Sequence, residues 1–205
     1  MRIVAFICLG MLLAGGAQAA DVTVSVRTAQ GAPVPDAVVT VAAGTNAPDP
    51  RFPWPMQVAQ KDLQFRPFVL VVPAGGQVSF PNQDGIRHHV YSFSPAKRFE
   101  LKLYGQGQAP SVTFDKTGVV ALGCNIHDGM VAFIKVVDTP YAAKTDAAGQ
   151  ATLRGLPNGQ TTVRIWHPYL RAPDNEIARP LAVRDGATLS ATVDLRRAPL
   201  RHGAY

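Results

Sequence analysis

Apolar and polar residues alternate at every second position along much of this chain, and strong helical periodicity is absent throughout. Asp21-Val22-Thr23-Val24-Ser25-Val26-Arg27 is the plainest case and predicts a strand with one buried face. Gln30 to Asp36 supplies turn residues, and Ala37 to Val41 predicts a second strand. Asn46 to Pro55 then carries four prolines, whose missing N–H groups forbid regular pairing, and it marks a linker. A new β pattern begins near Met56. Phe68 to Val72 is nearly continuous in apolar residues, as a strand buried on both faces would be. Shorter strands are predicted at Gln77–Phe80, His88–Phe93, Lys97–Tyr104 and Ser111–Asp115. Two Val-rich runs, entering from Gly118 and leaving to Val137, flank a short polar loop. Thr145 to Leu153 reads as a hairpin, Thr161 to Pro168 as a strand with its turn, and Leu189, Ala191, Val193 and Leu195 alternate along the last strand. With 18 glycines and 17 prolines as punctuation, the fold class is all-β.

The amino terminus stands apart from this pattern. Met1-Arg2 is a short basic start, Ile3 to Leu13 is apolar, and Ala17-Gln18-Ala19 is a small-residue cleavage site, so residues 1–19 are expected to be a secretory signal peptide. The apolar run is too short to span a bilayer comfortably, and no later segment approaches it, so no membrane span is expected after cleavage. An exported, periplasmic protein is therefore expected. The formal charge of +6 is spread along the chain without a basic helix or basic-aromatic interleaving, which argues against nucleic acid.

Export changes the meaning of cysteine. The chain has two, and Cys8 lies in the expected leader, so Cys124 has no partner for a disulfide in its own mature chain. It sits in the loop Cys124-Asn125-Ile126-His127-Asp128-Gly129-Met130, which sets a thiolate, an imidazole and a thioether within seven residues. Those donors, with one more imidazole, make up a trigonal copper site with a weak axial Met. A lone Cys or Met is more often core, but the three together between two strands point to a metal. The second imidazole is at His88 or His89, at the start of a strand. Only one of two neighbours on a strand can face a given side. Zinc is disfavoured, because thioethers are not among its usual ligands.

His88-His89-Val90 together with the Cys124–Met130 loop resembles the cupredoxins, the plastocyanin and pseudoazurin group of blue copper proteins, and is closest to the periplasmic methylamine-utilisation type. The resemblance covers Met56 to Asp138. It implies a Greek-key β-sandwich holding one type 1 copper ion, with His88, Cys124, His127 and Met130 as ligands. His89 is the alternative first ligand, and Asn82 and Asn125 are further candidates to support the ligands or replace one. His89 stands where the family often has an Asn that ties the ligand loops together, and Asp128-Gly129 where relatives often carry an aromatic residue or proline. The flanks are similar to carboxypeptidase-regulatory-like β-sandwiches, on Gly31 to Ala37 and on Thr145 to Pro168. The implied organisation is a copper domain at 54–138 and a small second sandwich at 21–48 and 139–197, split by it.

The resemblance implies a carrier of single electrons between redox partners, such as a c-type cytochrome or a periplasmic dehydrogenase, and no enzyme. Multicopper enzymes need further histidine clusters, and beyond the site only His167 and His202 remain, widely separated. Copper delivery or sensing is the alternative, as is a carbohydrate- or protein-docking module that carries a copper domain. Trp166 and His167 read as core and turn.

Overall fold

The computed structural model describes residues 19–197; the expected signal peptide lies outside the described residues but for Ala19, as does His202. Sixteen strands and a single 3-10 turn make up its regular structure. In chain order the strands are β1 (Ala19–Thr28), β2 (Val38–Val41), β3 (Ala59–Lys61), β4 (Gln64–Arg66), β5 (Val69–Pro73), β6 (Gly76–Ser79), β7 (His88–Ser94) and β8 (Lys97–Tyr104). They continue as β9 (Ser111–Phe114), β10 (Gly118–Gly123), β11 (Val131–Val137), β12 (Ala142–Lys144), β13 (Gln150–Pro157), β14 (Gly159–Trp166), β15 (Glu176–Val183) and β16 (Thr188–Val193). The all-β expectation holds.

β3 to β11 form one sandwich. Its larger layer is a five-stranded sheet in the order β5-β11-β10-β7-β8, and the pairs β3-β4 and β6-β9 cover its inner face. Leu70, Val72, Val78, Phe80, Val90, Phe114, Val120, Leu122, Ile134 and Val136 fill the space between. The first and last strands of the chain close a second core. β1 pairs antiparallel with β13 and parallel with β16, while β2 pairs with β12 and β14, and β14 with β15. Alternate residues of these strands, among them Val22, Val24, Val26, Val39, Leu153, Val163 and Ile165, bury their side chains together. The chain therefore leaves this second sandwich after β2 and returns to it at β12.

The unbroken apolar run of β5 has its explanation here. Leu70 and Val72 face the first core, while Val69 and Val71 face the seam between the sandwiches. With both faces buried, neither set of positions can be polar. β11 does the same, sending Ala132, Ile134 and Val136 inward and Phe133 and Val137 to the seam, where Trp166, Val38 and Phe68 meet them. The proline-rich stretch before β3 is more than a linker. Phe52 and Trp54 stack at 4.7 Å with their planes 5° apart, and Trp54 donates its indole N–H to the Val71 carbonyl at 2.8 Å. Lys144 donates to the Val69 carbonyl at 3.0 Å, so the outward carbonyls of Val69 and Val71 on this edge strand are occupied. Elements absent from the sequence pattern include the β3-β4 hairpin, β12 and β15. Proline at position 180 is tolerated because β15 is an edge strand.

Gly149 tests the second sandwich. It has φ of +75°, and a Cβ there would meet the Val26 carbonyl at 2.5 Å and the Val34 nitrogen at 2.9 Å. Gly31 has φ of +80° but nothing within 4 Å. Gly149→Ala is expected to lower the free energy of unfolding by about 1–3 kcal/mol, and Gly31→Ala by less, in urea denaturation followed by far-UV dichroism.

Candidate metal centre

β10 and β11 are a register-matched antiparallel pair, from Gly118 opposite Val136 to Gly123 opposite Val131. The loop that joins them starts at the last paired residue, so Cys124 leaves the sheet at the end of the sandwich. The loop turns back on itself through a hydrogen bond from the Met130 N–H to the His127 carbonyl at 3.3 Å. Gly129, with φ of +86°, supplies the left-handed residue that turn requires. This returns Met130 to the core, where it is buried beside Cys124, and leaves His127 at the margin, half-buried.

β7 brings the other imidazole. It lies between β10 and β8, and its first residue, His88, is fully buried. One ligand atom from each of His88, Cys124 and His127 lies within 4.8 Å of the others. The Cys124 Sγ is 3.9 Å from His88 Nδ1 and 3.8 Å from His127 Nδ1, so both imidazoles present the same ring nitrogen to the sulfur. The two rings are tilted by 58° with centroids 4.9 Å apart. A soft sulfur donor and two imidazoles, with a thioether returning to the same core, form a donor set that fits copper.

The neighbouring histidine is not in this group. His89 points to the other side of β7, where its Nε2 lies 2.8 Å from Glu100 of β8, and its Nδ1 is buried without a partner. Asn82 is also buried, and its amide is committed to the backbone. Nδ2 donates to the carbonyls of Ile86 (2.8 Å) and Tyr104 (3.1 Å), and Oδ1 accepts the Asp84 N–H at 2.9 Å. Asn125 is exposed on the surface that also bears His89 and Ile126.

Asp84 was not among the residues read from sequence. Its Oδ2 lies 2.7 Å from His88 Nε2, the ring nitrogen that faces away from Cys124. Burial would raise its pKa, but the hydrogen bond from His88 and those from the N–H groups of Asp62 and Leu63 outweigh that and hold the carboxyl below its ordinary value. It is therefore ionised at neutral pH. The one cue in the sequence was an acidic residue four positions before a histidine, in a loop. Tyr104 lies opposite His88 on β8, and its hydroxyl, within donating reach of both, lies 2.6 Å from Gln60 Oε1 and 2.9 Å from the Phe80 carbonyl. Burial pushes this phenol well above its usual pKa, the Gln60 bond offsets part of that, and the nearby Cys124 adds to the rise.

No family model and no curated protein matches this chain. Solved structures do. A Cu-containing nitrite reductase from Thermus scotoductus SA-01 aligns at 29% identity over 48% of this chain and 25% of its own, with a TM-score of 0.39. A purple cupredoxin from Nitrosopumilus maritimus aligns at 22% identity over 40% of this chain and 98% of its own, with a TM-score of 0.37. A reduced amicyanin variant aligns at 20% identity over 48% of this chain and 98% of its own, with a TM-score of 0.38. The chain thus covers a quarter of the length of the nitrite reductase. Among the described residues one His–Cys–His group could hold a metal ion.

The residue before Cys124 offers a structural test. A Cβ on Gly123 would lie 2.7 Å from the Tyr91 ring, so the aromatic ring packs directly on this backbone. Gly123→Ala is expected to destabilise the metal-free protein by about 1–3 kcal/mol. In a double-mutant cycle with Tyr91→Ala, measured by urea unfolding, the pair should cost less than the sum of the single changes.

Proposed function

We propose that this protein is a periplasmic type 1 copper protein that carries single electrons between redox partners. The observation that carries the reading is the convergence of His88 Nδ1, Cys124 Sγ and His127 Nδ1 within 4.8 Å in a buried pocket. His88, Cys124 and His127 are the three strong ligands, and Met130, buried in the same core, is the axial one. A bound copper ion supplies a one-electron couple. The chain's part is to hold donors that suit both oxidation states in one arrangement, so that little has to move when an electron arrives or leaves. A sandwich core on one side and a four-residue-spaced carboxylate on the other give that rigidity.

His127 is the ligand with access to solvent, and Ile126 beside it is 48% exposed. A redox protein such as a c-type cytochrome or a periplasmic dehydrogenase would meet the site there. The reading includes no enzymatic step. It includes export through the signal peptide of residues 1–19, and no helix among the described residues is long and apolar enough to cross a membrane. It also includes a division of the chain into a copper domain at 54–138 and a carboxypeptidase-regulatory-like sandwich at 21–48 and 139–197. The pairing of β1 and β2 with β12 to β16 supports that division.

Two measurements test this reading. Cu(II)-loaded protein is expected to show the intense visible band of thiolate-to-copper charge transfer, and Cys124→Ser to abolish it; a colourless protein with one bound copper would overturn the assignment. His89→Asn should keep the band while His88→Gly loses or alters it. The opposite result would move the first ligand by one residue.

Expression of residues 54–138 alone should give a folded copper-binding domain, whereas 139–197 alone, lacking β1 and β2, should aggregate or remain unfolded by dichroism. Cooperative unfolding of the second fragment by itself would contradict the division.

A further inference from the structure

The β3-β4 hairpin belongs to neither large sheet, yet its tip reaches the metal centre through one side chain. Its two turn residues, Asp62 and Leu63, both have φ of 56°. Non-glycine residues adopt that backbone at a cost, and surrounding interactions must hold it. Here the interaction is with Asp84. Oδ1 accepts the Asp62 N–H at 2.7 Å, and Oδ2 accepts the Leu63 N–H at 3.2 Å and lies 2.7 Å from His88 Nε2. The side chain of Asp84 is 14% exposed and that of His88 fully buried. Asn82 fixes the backbone of the same loop at Asp84 and Ile86 and ties it to Tyr104 of β8. The carboxylate therefore has its position set from three directions.

An ionised carboxylate only accepts hydrogen bonds. Facing one, His88 must carry its proton on Nε2, which leaves the Nδ1 lone pair directed at Cys124 Sγ, 3.9 Å away. A carboxylate on the far nitrogen also makes the imidazole a stronger donor to a metal. Its fixed negative charge interacts more strongly with the ion of higher charge.

We infer that Asp84 is a positioning residue of the metal centre, anchored by the β3-β4 turn, that fixes His88 in its metal-binding tautomer and favours Cu(II) over Cu(I). This rests on the copper reading above for the oxidation-state preference, but the tautomer does not depend on copper. Residues such as His89 and Glu100 form a similar pair on the opposite side of β7, outside the His–Cys–His group. The preference for Cu(II) is thus assigned to the carboxylate that, among the described residues, bonds to a ligand ring.

The test uses the full-length protein and two substitutions, Asp84→Asn, which removes the charge at constant shape, and Asp84→Glu, which keeps it. First, nitrogen-15 spectra of the metal-free protein report which nitrogen of His88 carries the proton. The expected result is Nε2–H alone in the wild type and a mixture in Asp84→Asn. A wild-type His88 protonated on Nδ1 alone would overturn the assignment whether or not copper binds. Second, competition with chelators gives affinities for Cu(II) and Cu(I) separately. Asp84→Asn should lose about 10–100-fold in Cu(II) affinity and less in Cu(I) affinity, so that the reduction potential rises. Asp84→Glu should stay closer to wild type. Equal losses for both ions would show a merely structural role and overturn the redox assignment. A wild type that binds neither ion, or binds Cu(II) without a thiolate band, would instead fail the copper reading, with the tautomer experiment still deciding the role of Asp84.

Discussion

The rest of this structure depends on bringing two imidazoles and a thiol together inside an apolar sandwich and keeping them there. Burying polar side chains is unfavourable unless each finds a partner. The chain answers with a connected set of hydrogen bonds around His88. Asp84 takes the imidazole, the turn at Asp62 and Leu63 takes Asp84, Asn82 takes the loop, and Tyr104 with Gln60 closes the space beneath. Such a network is costly when partly satisfied and rigid when complete. On the other ligand segment rigidity comes from packing, since Cys124 and Met130 both belong to the core that β10 and β11 bury.

Rigidity at the site is coupled to the second sandwich through two strands with two buried faces. β5 and β11 contribute to the core beneath the metal centre with one set of residues and to the seam with the other. Lys135 of β11 strengthens that seam, with its Nζ 3.2 Å from Glu176 and 5.4 Å from the centre of the Trp166 ring. Trp54 and Lys144 occupy the outward carbonyls of Val71 and Val69 on β5, which otherwise would present an open edge. The strand that carries Met130's loop back into the fold is thus held from both sides.

Most strands were legible because alternation and continuous apolar runs report directly on how many faces a strand buries. Lys97–Tyr104 and His88–Ser94 follow this rule, as does the doubly buried β5. The loop that brings Cys124 and His127 to the candidate site was legible too, since Cys124, His127 and Met130 lie within seven residues. What local pattern does not encode is partnership. The hydrogen-bonded neighbours of β1 lie more than a hundred residues away in β13 and β16, and only the structure supplies them. The β3-β4 hairpin escaped notice because its turn uses Asp62 and Leu63 at positive φ, where glycine or asparagine would have signalled it. Asp84 escaped for a related reason: a loop carboxylate acquires its role from the imidazole it meets, and Asp84 meets His88 only once Asn82 has shaped the loop.

The central claim is that one thiolate and two imidazoles hold copper in an arrangement that hardly changes with oxidation state. X-ray absorption at the copper edge, on frozen solutions of the oxidised and the reduced protein, addresses it most directly. The account predicts one short copper–sulfur contact and two copper–nitrogen contacts in both states, with only small changes in length between them. Absence of the short copper–sulfur contact in the oxidised protein, or loss of an imidazole on reduction, would contradict it.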